Sequence, residues 1–370
     1  KLTTANDLSY SKDTSTGELT LIASNFEIRG QEDVVHNLII SGRRNNIYGG
    51  KLDDKVEESD SENCYINSIY GGEGNDTIIL RATASGGYGE AGDDLLTAYT
   101  GSLNGGTGED IFNIYAGYVV HHGGAGNDIF NIYGVSNKIY GDDGDDIFNI
   151  IQGGSNTIDG GTGTNTVTGT VGTNTTINVI GANSGSVSLT KGVEQVVNIN
   201  GIDYTMSTES TTATVIYSIN DSGQITFSMS SNQAIIKGAL NKKHNVSIKA
   251  GITFYGGNKG DIIDAHGATI YLGSGNNTLK AFGTTIYGSS GNDTVSITDG
   301  SFFYGGTGIT NLTARSLNYI ESVSGTMNLS LYGDNNTVYG TGGNNTLVSN
   351  TRPNNFISGF GDADNAQALS

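Results

Sequence analysis

The 370-residue chain has 1 proline, 1 cysteine and no tryptophan. A lone Cys64 rules out an internal disulfide framework. It follows the polar stretch 55–63 and reads as an incidental thiol. No apolar run reaches the roughly 18 residues of a membrane-spanning helix, so no transmembrane segment is expected. Basic residues are also few: 18 Lys and Arg against 37 Asp and Glu give a net charge of -19. A nucleic-acid binder shows the opposite balance, so nucleic acid is not an expected partner. There is no H-E-x-x-H, no G-x-S-x-G and no phosphate loop, so no enzyme is expected. The chain begins at Lys1 without a signal-like segment, which reads as a mature form or a piece of a longer protein.

Glycine is abundant, at 57 residues. It does not recur at every third position, which excludes collagen. Thr, Ser, Asn and Ile fill most of the remainder and strong helix formers are scarce, so the expected fold class is all-β with many turns. Five Gly-Asp loops recur about every 18 residues: Gly71-Gly72-Glu73-Gly74-Asn75-Asp76, Gly89-Glu90-Ala91-Gly92-Asp93-Asp94, Gly105-Gly106-Thr107-Gly108-Glu109-Asp110, Gly123-Gly124-Ala125-Gly126-Asn127-Asp128 and Gly141-Asp142-Asp143-Gly144-Asp145-Asp146. Three fit the nonapeptide G-G-x-G-x-D-x-U-x in full, and two miss only its second Gly.

The spacing specifies a coil. Between Gly123 and Tyr140 lie a loop, the strand-like Ile129-Phe130-Asn131-Ile132-Tyr133, a second turn at Gly134-Val135-Ser136-Asn137, and Lys138-Ile139-Tyr140. Strand alternation puts Phe130 and Ile132 inward and Ile129 and Asn131 outward. Stacking such coils predicts Phe and Ile ladders inside, with Asn113, Asn131, Asn149 and Ile111, Ile129, Ile147 as ladders outside. The expected architecture is a parallel β-roll or β-solenoid.

The same loops predict a metal. Glycine permits backbone angles that aim carbonyl oxygens at one point, and the sixth-position Asp adds a carboxylate. Two loops one coil apart would complete a shell of about six oxygens, which suits Ca²⁺. Candidate metal residues are Gly71, Gly72, Gly74, Asp76, Gly89, Gly92, Asp94, Gly105, Gly106, Gly108, Asp110, Gly123, Gly124, Gly126, Asp128, Gly141, Asp143, Gly144 and Asp146. At a coil spacing of about 4.8 Å and an effective dielectric of ~20, neighbouring carboxylates repel by roughly 3 kcal/mol. A divalent ion between loops reverses that sign. About four ions over 71–150 are expected, with folding of this roll dependent on them.

The motif decays further along. Loops near Gly256, Leu272, Gly288 and Gly305 carry Asp261, Asn277, Asp293 and Thr310 at the sixth position. Only the loop ending in Asp293 retains the pattern, as one weak candidate site. Lys259 stands at the fourth position of the Asp261 loop. Asp54, after Gly49-Gly50, is expected to open the first column, and Asn165, after Gly160-Gly161, to close it.

Two stretches also match at an offset of about 206 to 208: Gly17-Glu18-Leu19-Thr20-Leu21, His36-Asn37-Leu38 and Tyr48-Gly49-Gly50 against Gly223-Gln224-Ile225-Thr226-Phe227, His244-Asn245-Val246 and Tyr255-Gly256-Gly257. The expected organisation is two tandem modules in a rod. It comprises a strand-rich cap (1–47), a calcium-binding roll (48–168), a β-rich tail (169–204), a second cap (205–252) and a metal-poor roll and tail (253–370). A Tyr precedes many loops, including Tyr48, Tyr70, Tyr140, Tyr255, Tyr287, Tyr304 and Tyr339, and reads as an outward stacking ladder. His121-His122 reads as a surface variant of that position.

The quoted loops resemble the RTX (repeats-in-toxin) calcium-binding proteins, specifically over 71–150 and more weakly over 253–312. The resemblance implies a parallel β-roll that folds outside the cell in millimolar calcium, and usually type I secretion from a Gram-negative bacterium. The family's secretion signal is C-terminal, and 362–370 does not match one. With no catalytic constellation in view, the expected function is that of a calcium-dependent structural module of a secreted bacterial surface protein: an S-layer, filament or large adhesin. The expected partners are identical subunits and a cell-surface glycan or lipopolysaccharide. The alternatives are a glycan- or ice-binding adhesin segment, and the RTX portion of a secreted enzyme whose catalytic domain lies elsewhere.

Overall fold

A computed structural model describes residues 9–152, 154–170, 176–180, 182–322, 324–340, 343–350, 354–359 and 365–369. Residues 362–364 and 370 of the C-terminal stretch therefore lie outside the described residues. The chain divides into two compact units, Lys1–Gly185 with Asn198–Gly201, and Ser186–Val197 with Ile202–Ser370. Among the described residues all regular structure is β-strand, and no helix is long and apolar enough to cross a membrane.

The first unit is a parallel β-solenoid. One of its sheets stacks Thr77–Leu80, Leu95–Ala98, Ile111–Ile114, Ile129–Ile132 and Ile147–Ile150 in register. The other stacks Ser68–Glu73, Gly86–Ala91, Ser102–Thr107, Val120–Ala125 and Lys138–Asp143. Alternation along each strand sends one set of side chains into the space between the sheets. Phe112, Phe130 and Phe148 are fully buried there and stack at 4.4 and 4.8 Å. Ile114, Ile132 and Ile139 are fully buried as well. The Asn column runs outside as expected, Asn131 Nδ2 donating to Asn113 Oδ1 and Asn149 Nδ2 to Asn131 Oδ1, both at 3.1 Å.

The second unit repeats the scheme on a shorter period. Asn245–Ile248, Ile262–His266, Thr278–Phe282 and Asp293–Thr298 stack in parallel. Opposite them stack Ile252–Tyr255, Thr269–Tyr271, Thr285–Tyr287 and Phe302–Tyr304.

Each unit contains an antiparallel hairpin where its stacking starts. Ser9–Lys12 pairs with Leu19–Ile22, and Thr212–Ile219 with Ile225–Ser231. Their turns are built alike. Asp13 Oδ1 accepts from Ser15 N and Asp13 O from Gly17 N. Asn220 Oδ1 accepts from Ser222 N and Asn220 O from Gly223 N. Parallel stacking begins immediately after each hairpin, Leu19–Ile22 onto Asn37–Ser41 and Ile225–Ser231 onto Asn245–Ile248. In the first unit the arm Ser9–Lys12 is the outermost described strand of its sheet, a device that shields a sheet edge.

The Tyr ladder is present. Tyr48, Tyr70 and Tyr88 stack at 4.8 Å, and Tyr255, Tyr271, Tyr287 and Tyr304 at 4.5 to 5.1 Å. A second ladder, Tyr99, Tyr115 and Tyr133, follows the Phe-bearing strands. One expectation fails. His121 is not a surface residue: it is fully buried and aligned with the core residue Ile139. Only His122 takes the Tyr position, stacked on Tyr140 at 4.7 Å. Period-two alternation forces this, because neighbouring residues of a strand face opposite sides.

Candidate calcium column

The sixth-position acids of the first unit form a single file. Starting from the cap, the backbone N–H of His36 donates to Asp54 Oδ1, Asp54 to Asp76, Asp76 to Asp94, Asp94 to Asp110, Asp110 to Asp128, Asp128 to Asp146, and Asp146 to Asn165 Oδ1. These bonds span 2.6 to 2.9 Å. One carboxylate oxygen per coil therefore ties that coil to its predecessor. The column runs one rung beyond the five Gly-Asp loops, from Asp54, and Asn165 closes it. His36 sets its start: its ring Nδ1 lies 3.0 Å from Asp54 Oδ1.

The second oxygen of each acid has no partner. Oδ2 of Asp54, Asp76, Asp94, Asp110, Asp128 and Asp146 is buried without a hydrogen-bond donor, and each of these residues is at most 2 % exposed. An unpaired buried acceptor is costly, and an unpaired buried charge more so. Burial, reinforced by neighbouring carboxylates, accordingly lifts the carboxyl pKa to about 7 for Asp76, Asp94 and Asp128. It reaches about 6 for Asp110 and Asp146.

Glycine makes the space into which these oxygens project. A Cβ on Gly123 would collide with Asp128 Oδ2 and with the Gly141 carbonyl of the next coil. Gly71, Gly89, Gly105 and Gly141 show the same pair: the loop's own Oδ2 and the following loop's carbonyl. The fourth-position Gly74, Gly92, Gly108, Gly126 and Gly144 hold left-handed φ between 109° and 145°. At the second position Gly72, Gly106 and Gly124 do likewise, and Glu90 (φ 78°) and Asp142 (φ 70°) adopt that region where glycine is missing.

Three contrasts inside the chain show what the column lacks. At the closing rung, Asn165 Nδ2 donates to the loop carbonyls of Gly160 at 2.7 Å and Thr162 at 3.0 Å. An Asp has no hydrogen to give there; in the Asp loops the third-position carbonyls of Ala91, Thr107, Ala125 and Asp143 accept instead from the N–H of Gly74, Gly92, Gly108 and Gly126. At the far turn of the coil a second ladder is built from Asn, with Asn45 N donating to Asn67 Oδ1 and Asn137 N to Asn156 Oδ1. Its amides cap Ala23 O, Ala116 O and Gly134 O. Thirdly, the buried Glu58 accepts from Asn67 Nδ2, Ser85 Oγ, Arg81 N and Ala82 N. Where the fold needs a self-sufficient ladder it uses Asn, and where it buries a carboxylate elsewhere it surrounds it with donors.

The second unit follows the self-sufficient pattern. Asp261 Oδ1 accepts from His244 N and faces His244 Nδ1 at 2.8 Å, and its Oδ2 accepts from Gly257 N. Burial pulls this carboxyl up, but the His244 contacts outweigh it and hold it below the ordinary value. Asn277 Nδ2 donates to Gly273 O, Gly275 O and Asp293 Oδ1. Asp293 Oδ2 accepts from Ser289 Oγ at 3.1 Å. Asp293 thus has partners on both oxygens, unlike the six acids of the first column. Asp143 also stands apart: its side chain is exposed and accepts from Thr162 Oγ1, while its backbone carbonyl accepts from Gly126 N.

Among the described residues no three His, Cys, Asp or Glu side chains gather at one point. A single-file column does not produce such a cluster, because each gap between coils holds one carboxylate on either side and main-chain oxygens for the rest. Cys64 is 5 % exposed, lies against Ile40 O and Asn67 Nδ2, and has its thiol pKa raised by burial. Compared with models of known families and with curated proteins, the chain matches none.

Proposed function

We propose that the first unit is a calcium-folded β-roll of the repeats-in-toxin type, serving as a non-catalytic structural module of a secreted bacterial surface protein such as an S-layer, filament or large adhesin. The observation that carries this reading is the file of six buried carboxylates, each with one oxygen lacking a donor, in a chain that elsewhere uses Asn for the same rung. A hard divalent cation fits an all-oxygen setting of carboxylates and peptide carbonyls. The residues to hold it are Asp54, Asp76, Asp94, Asp110, Asp128 and Asp146, with main-chain oxygens of the glycine loops between them.

Calcium, when bound, would supply the positive charge that favours the ionised form of Asp76, Asp94, Asp110, Asp128 and Asp146, whose carboxyl pKa burial raises. The chain's own part is to align the acids through their Oδ1 bonds and to keep side chains out of the gaps by placing Gly at the first loop position. The second unit stacks by amide and imidazole contacts and needs no ion. Glycan stacking on the aromatics is disfavoured, since the Tyr rings spend their faces on one another and Arg29 covers Tyr48 at 4.1 Å. Equilibrium dialysis with ⁴⁵Ca tests the reading. About one ion per gap between neighbouring acids of the first unit is expected. Calcium uptake that survives conversion of all six acids to Asn would defeat it.

A further inference from the structure

Over four coils the outer face of the Phe-bearing sheet is uncharged. Its four coils, 95–99, 111–115, 129–133 and 147–151, present three columns: Leu95 above three Ile, Thr97 above three Asn, and three Tyr followed by Ile151. None of these twelve outward residues is acidic or basic, although the chain carries a net charge of -19. Large apolar side chains lie open on it, with Leu95, Ile111, Tyr115 and Ile147 each about 40 % exposed. The parallel strands are in register, so the columns repeat at the coil spacing.

We propose that this face docks onto the same face of a second copy of the chain. Charge selects the face: two strongly acidic molecules repel, and they approach at least cost where neither presents an acid. Chemistry selects the occupant. Tyr99, Tyr115 and Tyr133 stack at 4.9 and 4.4 Å, and Arg81 covers the Tyr99 end at 4.7 Å. Only the far face of Tyr133, toward Ile151, lacks a stacked ring or guanidinium, which leaves little ring face for a sugar. The central Asn131 gives one N–H and one lone pair to its column neighbours. It keeps one of each for an opposing surface. A facing Asn column supplies the complement, and the flanking Ile and Tyr columns pack as two sheets do, about 10 Å apart.

Area sets the strength. Five residues at about 3.3 Å and four coils at about 4.8 Å make a face of roughly 300 Å². A pair of such faces falls below the roughly 1,200 Å² of a stable interface. The contact is therefore weak between free molecules and becomes effective where copies are held side by side, as on a surface array. The inference rests on the calcium reading in one respect: the face exists only where the first unit is folded.

Sedimentation equilibrium of the full chain in millimolar calcium, from micromolar to millimolar protein, tests it. The expected result is concentration-dependent self-association that strengthens with added sodium chloride, because salt screens the repulsion between acidic surfaces and leaves an apolar contact intact. Joint Ile111→Glu and Ile147→Glu substitution places like charges in the contact and should weaken association about tenfold or more. Circular dichroism on the same samples confirms that the variant is folded. Asn131→Cys should cross-link copies on oxidation. A folded wild type that stays monomeric at millimolar concentration, or association unmoved by the paired Glu, overturns the docking face. Loss of the docking face at an unchanged calcium response leaves the calcium reading standing. A full β-signal in EGTA defeats the calcium reading and leaves the docking result intact.

Discussion

Asp128 and Asn165 occupy equivalent rungs of one column and differ only in an oxygen exchanged for an amide nitrogen. That exchange decides whether the side chain donates to its own loop, as Asn165 does, or keeps a buried Oδ2 without a donor, as Asp128 does. Asp128→Asn should therefore raise the stability of the calcium-free chain by about 1–3 kcal/mol, the cost of an unsatisfied buried polar group. It should also lower the calcium bound. Urea titration in EGTA, beside dialysis in calcium, checks both, and a metal-free loss of stability would contradict the account. His121 gives a second residue-scale outcome. Burial without a partner for either ring nitrogen pushes its pKa down to about 4. A base depressed in the folded state contributes stability that is present above its unfolded value, near 6.5, and lost as pH falls toward 4. The full loss amounts to roughly 3 kcal/mol. His121→Leu should remove this loss, so the stability difference between variant and wild type, followed by denaturant melts in calcium, should widen on acidification. The sixth-position Asp residues were legible because they recur. The burial of His121 followed from alternation against Tyr140, but the adjacent pair His121-His122 drew the reading to the surface. Glu58 carried no signal, since its four donors come from residues 67–85, brought to it only by coiling.

The coils of 111–150 are held by stacked identical side chains, so a change at one rung acts on both neighbours. Phe130 lies between Phe112 and Phe148 and is fully buried. Phe130→Ala should cost about 3–5 kcal/mol, measured by calcium-saturated urea melts. Gly123→Ala acts on the loop instead. The added methyl group meets Asp128 Oδ2 and the Gly141 carbonyl, so calcium affinity should fall by more than tenfold while Val135→Ala, at an exposed position of the opposite turn, leaves it unchanged. Isothermal titration distinguishes the two. The strands and inward residues of these coils were readable from period-two alternation within an 18-residue repeat. The Asn ladder at the far turn was not. Its rungs, Asn45, Asn67, Asn137 and Asn156, are unevenly spaced and interrupted by Ser85, so no fixed period announces them.

The chain joins two units with one architecture and two ways of satisfying their turns. Paired sequence landmarks point to a duplication, and the hairpin turns at Asp13 and Asn220 are built alike. The difference in how the two units satisfy their loop side chains was visible only in part. Asn277 and Thr310 announced lost charge, whereas the pairing of Asp293 with Ser289 and of Asp261 with Gly257 and His244 depended on side-chain placement. Calcium dependence should accordingly be confined to the first unit. Hydrogen exchange read by mass spectrometry, with calcium and with EGTA, tests this most directly. Strands within 55–150 should lose protection in EGTA while strands within 245–331 keep theirs. Equal protection of both regions in EGTA would contradict it.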